Sequence, residues 1–149
     1  AVKSEVATFL EVFPHGMVFA NLNQGQGYDV VMLAQQEPTP IDLDAIDEKL
    51  STPEYATVAR SLSEVGFYSA PQLMATFAAK KPEIDPWLAD AEITRDRNLR
   101  LQFLAGLGVN LYEADAIYRD MAQYRTYPEG LFVGSPQSLA ELRAAWGRM

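Results

Sequence analysis

Residues 16–35, Gly-Met-Val-Phe-Ala-Asn-Leu-Asn-Gln-Gly-Gln-Gly-Tyr-Asp-Val-Val-Met-Leu-Ala-Gln, are the only stretch of this chain with the character of β-sheet; the residues C-terminal to it have helical periodicity. Two apolar, β-prone runs, Gly16–Leu22 and Tyr28–Ala34, flank Asn23-Gln24-Gly25-Gln26-Gly27, whose glycines can take the positive φ that a short connection needs. That spacing predicts a β-hairpin. The second run barely alternates, so both of its faces are expected to be covered, as in a central strand of a layered α/β sheet. Two strands alone are marginal in water, and a doubly covered strand needs neighbours and helices that this chain hardly offers. The chain is therefore expected to be incomplete at its front end. Bare apolar edges recruit other strands, so the edge of residues 28–34 is expected to pair with a second copy, as a homodimer, or to be covered by the chain's own helices.

At 149 residues the length suits one domain able to bury a core. A hydrophobic content of 48% and a charged content of 21% exclude a disordered chain. The net charge of −8 argues against a phosphate-backbone partner, whose affinity comes from clustered Lys and Arg, and no nucleic-acid role is expected. Arg95, Arg97 and Arg100 are interleaved with Asp96 and read as a solvated or salt-bridged face rather than an anion site. The chain has no cysteine and one histidine, which removes thiolate and histidine-rich metal centres. No apolar run approaches a membrane span and the N-terminal residues lack the shape of a signal peptide, so no membrane contact is expected from this segment and the expected compartment is the cytoplasm.

In chain order, Val2, Val6, Phe9, Leu10 and Phe13 fall at helical spacing, predicting an amphipathic helix over 2–13 that Pro14 ends. Pro38-Thr39-Pro40 cannot continue a strand ladder and marks a module boundary. Asp42 is placed to cap a helix carrying Leu43, Ile46 and Leu50 on one face. Thr52-Pro53 opens a helix with Tyr55, Val58, Ala59, Leu62 and Val65 inward and Gly66 as its stop. Ser69 to Gln72 has capping spacing and predicts a third helix, with Leu73, Met74 and Phe77 on one side, ending near Lys80-Lys81-Pro82. Pro82 to Trp87 reads as an irregular link in which Trp87 is a packing anchor. Thr94 to Gly108 carries Leu99, Leu101, Phe103, Leu104 and Leu107, too many for a narrow stripe, and is expected to be the most buried helix. Asn110 to Glu113 starts a helix to about Arg125, with Leu111, Ala114, Ile117, Tyr118 and Met121 inward, and Ser135-Pro136 opens the last helix, with Leu139, Leu142 and Trp146 on one face.

Catalysis needs a constellation, and few can be drawn here. Gly25-Gln26-Gly27 joins strand to strand, whereas a nucleotide cradle needs glycines before a helix. His15 stands without a Ser, Cys or acid in recognisable context and reads as a turn residue. Asp42, Asp44, Asp47 and Glu48 lack the spacing of a calcium loop and read as the start of a helix, where acidic residues are favoured. Tyr118, Tyr124 and Tyr127 read as helix-face packing rather than a cofactor box. No catalytic, cofactor-binding or metal residue is assigned.

Val12-Phe13-Pro14-His15 at the first helix-strand junction and Tyr28-Asp29-Val30-Val31-Met32-Leu33 in the second strand resemble the end of the methyltransferase-type fold of spermidine synthases. In that family a Phe-Pro-His type junction leads into a strand followed by a Tyr-Asp-hydrophobic strand, the last of the sheet and antiparallel to the rest. Ile93 to Asn98, with Leu99 to Phe103, is similar to the family's C-terminal Asn-Thr-Asp-Asp segment, departing from it at Thr94–Arg97. The resemblance covers residues 2–36 and about 93–104, and is nearest to the long bacterial members with an N-terminal membrane portion and a helical tail. Residues 37–92 and 110–149 match only that tail. The family's glycine-rich nucleoside loop, its acidic ribose-binding residue and its catalytic aspartate lie upstream of the hairpin, so no site residue carries over.

The reading is an α+β, mainly α, chain: residues 1–37 as the C-terminal helix-strand-strand unit of a methyltransferase-type sheet and 38–149 as an all-helical tail. The resemblance implies a non-catalytic portion of a spermidine synthase-like aminopropyltransferase with a structural, packing or oligomerisation role. Its partner would be the rest of the parent chain, itself anchored in a membrane, and its parent's co-substrate decarboxylated S-adenosylmethionine. The alternative is an autonomous helical protein-protein interaction module.

Overall fold

The computed structural model describes residues 1–20, 30–99, 102–104, 106 and 114–148. The fold is α+β and mainly α. The chain divides into two compact units, one of residues 1–38 and 78–126, the other of residues 39–77 and 127–149.

The first unit opens with α1 (Val2–Val12), which directs Val6 and Leu10 into the core and ends where Pro14 prevents a further turn. Strands β1 (Met17–Ala20) and β2 (Val30–Leu33) pair antiparallel, with Val18 opposite Met32 and Phe19 opposite Val31. The expected hairpin partners are thus joined, while its connection at Asn23–Gly27 lies outside the described residues. A third strand, β4 (Phe77–Lys80), completes the sheet in the order β2-β1-β4. Val18 and Ala20 of β1, Ala78 and Ala79 of β4, and Val6 and Leu10 of α1 share one core with Ile84, Trp87, Tyr118 and Met121. Trp87 lies in a short helix, α5 (Asp85–Leu88), and the last two in α6 (Ala114–Ala122).

The sequence puts double cover on the wrong strand. All four residues of β1 are buried, whereas β2 alternates, with Val31 55% and Leu33 44% exposed. Central position accounts for the difference: among the described residues β1 has a strand on each side and β2 on one.

Residues 38–149 are not purely helical either. The helix opened by Ser69 is only α4 (Ala70–Met74), and the run expected to extend it to Lys80 is strand β4. Thr76 closes the helix by donating its hydroxyl to the Leu73 carbonyl at 2.7 Å. A short apolar run such as Phe77-Ala78-Ala79 has no period that distinguishes strand from helix, and burial decided it. The helix expected from Thr94 does not begin there. Asn98 accepts from the Arg95 N–H at 2.8 Å and donates to the Ile93 carbonyl at 3.0 Å, a local turn that competes with helix, and Leu99 comes next at φ 47°. Residues 102–104 are helical, yet Leu99 and Phe103 are exposed, so the described part of this segment is not the buried hub.

The second unit holds β3 (Ile41–Asp42), α2 (Leu43–Leu50), a 3-10 turn at Pro53–Tyr55, α3 (Ala56–Glu64), α4, β5 (Phe132–Val133) and α7 (Pro136–Trp146). β3 and β5 pair in parallel, Ile41 opposite Phe132. Leu43, Phe77, Phe132 and Leu142 are buried here, with the Phe77 and Phe132 rings edge to face at 6.0 Å. Asp42 caps α2 through Ala45 N–H at 3.0 Å, Ser69 caps α4 and Ser135 caps α7, all three as the residue types require. Helix α3 departs from expectation: it has no buried residue, and Val58 and Val65 face solvent. Its turn ends at Gly66, whose φ of 92° suits glycine.

Candidate interaction surface at the free sheet edge

Strand β2 ends the sheet, so the backbone donors and acceptors on its outer side have no strand partner among the described residues. Its side chains divide by parity. Val30 and Met32 pack against the core beneath α1, while Val31 and Leu33 form an exposed apolar row on the opposite face. Residues 30–36, Val-Val-Met-Leu-Ala-Gln-Gln, contain neither charge nor proline.

On the α1 side a recess of about 290 Å³ is lined by Glu5, Thr8, Phe9, Val12 and Phe13 of the helix region, by Met32 of β2 and by Thr94. The Phe9 and Phe13 rings, 5.4 Å apart, form part of its wall. Helical spacing puts Phe9, Val12 and Phe13 on neighbouring turns, and Pro14 stops the helix where Phe13 reaches the sheet edge. Thr94 is tied to the helix by its N–H, which donates to Thr8 Oγ1 at 2.9 Å, and the next residue, Arg95, is ion-paired to Glu11.

The other residues singled out in the sequence take structural roles. Trp87 is 2% exposed and donates its indole N–H to Asp120 Oδ2 at 2.8 Å, with the Lys3 ammonium 5.4 Å from its ring. Tyr118 is buried in the same core, Tyr124 packs against it, and Tyr127 in the second unit meets Trp146 edge to face at 5.6 Å. His15 is exposed at a turn. Arg95 joins Glu11, Arg97 is exposed, and Arg100 lies outside the described residues.

The acidic residues of α2 separate rather than converge. Asp42 caps its own helix, Asp44 accepts from the Ser135 N–H and the Ser138 hydroxyl, and Asp47 accepts the Ala70 N–H at 2.6 Å. Ser138 and then Ser135, by donating to it, hold the Asp44 carboxyl below its usual value. Among the described residues no group of three or more His, Asp or Glu side chains is placed to hold a metal ion, and no helix is long and apolar enough to cross a membrane.

What the sequence missed is the recess, because Met32 and the α1 aromatics are brought together only by the sheet. The exposed α1 position Val12, an apolar residue off the buried stripe, is the one signal that pointed to it. No family model, no curated protein and no solved structure matches the chain.

Proposed function

We propose that the chain is the C-terminal, non-catalytic part of a spermidine synthase-like aminopropyltransferase, contributing the closing helix and strands of its sheet. The observation that carries this reading is the position of β2: a wholly apolar strand, Val30–Leu33, that has no strand on its outer side among the described residues, with Val31 and Leu33 exposed. Such a strand suits a sheet that continues beyond it. The antiparallel β1–β2 pair after α1 is compatible with the helix-strand-strand order of the resemblance. The parent would transfer an aminopropyl group from decarboxylated S-adenosylmethionine to a polyamine amine, using residues upstream of this chain. The role of residues 1–149 would be packing and sheet completion.

Sequencing the coding DNA upstream of Ala1 tests the reading. An in-frame glycine-rich strand-to-helix loop followed by an Asp-Pro segment is the expected result. A start codon directly before Ala1 overturns it.

A second reading, an autonomous helical interaction module, is favoured by α3, which exposes Val58, Val65 and the nearby Tyr68. Saturable binding of a protein partner that is lost on changing Val58 and Val65 to serine, together with that start codon, would select it.

A further inference from the structure

We infer that, independently of the aminopropyltransferase reading, the second unit binds a small organic monoamine, with its ammonium group at Asp47 and its apolar body in the groove between α2 and α3.

The groove has a volume of about 330 Å³, at the small end of the range of small-molecule sites, about 300–1,000 Å³. Two helix faces build it. Asp47, Leu50 and the cap residue Ser51 stand at i, i+3 and i+4 along α2, and Ala59, Leu62 and Ser63 repeat that spacing on α3. Phe67, Tyr68 and Ser69 contribute the remaining wall. Ala59 and Leu62 of the inward stripe of α3 thus line a groove rather than a closed core, and both are half-buried.

Apart from Tyr68, which is 76% exposed, the polar side chains lining the groove accept hydrogen bonds but have no proton left to give. Ser51 donates its hydroxyl to the Glu48 carbonyl at 2.6 Å, Ser63 to the Arg60 carbonyl at 2.7 Å and Ser69 to the Glu141 carboxylate at 2.6 Å. Each serine oxygen keeps only its acceptor capacity. Asp47 accepts the Ala70 N–H on Oδ1 at 2.6 Å, and among the described residues no Lys or Arg is ion-paired to it. The cations of the two helices are placed elsewhere: the Lys49 ammonium stands 4.8 Å from the centre of the Tyr55 ring, and Arg60 is exposed.

A carboxylate among acceptors repels an anion, whereas an ammonium group brings three donors and the opposite charge. The walls select the rest of the ligand. Leu50, Ala59, Leu62 and Phe67 suit a short hydrocarbon or a single ring, and a diamine would set its second charge against them, where burial without a counter-charge is costly.

The test uses the full chain with phenethylamine, its neutral isostere phenethyl alcohol, and putrescine. Salt at about 0.15 M screens diffuse attraction to a chain of net charge −8. Nuclear magnetic resonance follows the methyl groups of Leu50, Ala59 and Leu62. The expected result is saturable shifts of these methyls with phenethylamine, at an affinity about tenfold above that of either other probe. Asp47→Asn keeps an oxygen for the Ala70 N–H and removes the charge; it should bring phenethylamine down to the affinity of the alcohol and leave the alcohol unchanged. Equal affinity of amine and alcohol for the native chain would overturn the proposal without recourse to any variant, as would an amine affinity unchanged by Asp47→Asn. Putrescine bound as tightly as phenethylamine would overturn the apolar body. Shifts spread over the acidic surface but absent from the three methyls, or no saturable binding, would overturn the site. A start codon directly before Ala1 would overturn the aminopropyltransferase reading and leave each of these outcomes as it is.

Discussion

Asp44, in the first turn of α2, accepts hydrogen bonds from both the backbone N–H and the hydroxyl of Ser135, the cap of α7. A carboxylate facing the unpaired N–H groups of a helix start is favourable on both hydrogen-bonding and dipole grounds. The Ser138 hydroxyl and the Ser135 N–H favour the ionised form and hold its pKa below 3.8. A depressed carboxyl contributes stability that is present above the unfolded value, near 4, and is lost as pH falls through the lower folded value. Asp44→Ala should therefore lower the thermal midpoint at neutral pH, and the gap from the native chain should close below about pH 4. Melting curves by circular dichroism across this range check it; a gap that does not change with pH would remove the carboxylate as its cause.

Trp87 anchors the first unit by burial and by its indole hydrogen bond to Asp120. Truncation to alanine removes a large ring from a packed core and should cost about 3–5 kcal/mol. Trp87→Phe keeps most of the apolar contact, loses the bond to a charged acceptor, and should cost less than the alanine variant. Urea unfolding of the three proteins orders them; equal losses would mean that the ring packs little.

Gly16 sits at the junction of α1 and β1, where a Cβ would approach the Phe13 carbonyl oxygen to 2.9 Å and Phe9 Cε1 to 2.5 Å. The ring can turn, but the carbonyl belongs to the backbone that closes the helix. Gly16→Ala should destabilise by about 1–3 kcal/mol through overpacking. An unchanged urea midpoint would show that the junction yields.

Legibility tracked the strength of local signals. Capping chemistry at Asp42, Ser69 and Ser135 placed three helix starts, because a side-chain oxygen three residues ahead of an N–H is a local fact. Trp87 and Met121 were recognisable as core from size and spacing. Strand β4 was not, since Phe77-Ala78-Ala79 is apolar without a period and becomes a strand only where β1 offers an edge. Leu99 and Phe103 misled for a related reason: apolar content promised burial, while the Asn98 turn keeps the helix from starting at Thr94 and Phe103, helical in residues 102–104, stays exposed. The candidate surface was half visible. An uncharged, apolar β2 was plain in the sequence, but the recess required α1 and Met32 to meet in space.

The unequal cover of β1 and β2 gives a matched pair of substitutions. Val18 and Val31 are both strand valines; Val18 is fully buried and Val31 is 55% exposed. Replacing valine by threonine changes little in size but introduces a hydroxyl. At Val18 that hydroxyl enters the core shared by Leu10 and Met121, and without a partner it should cost about 1–3 kcal/mol. At Val31 water remains available, and the change should stay within about 0.5 kcal/mol. Urea unfolding at neutral pH compares the two in one experiment. Equal costs would place both residues in covered positions, restoring a doubly covered β2 and closing the edge at which the sheet is proposed to continue. A large cost at Val18 alone confirms the alternation on which the exposed row of Val31 and Leu33 depends.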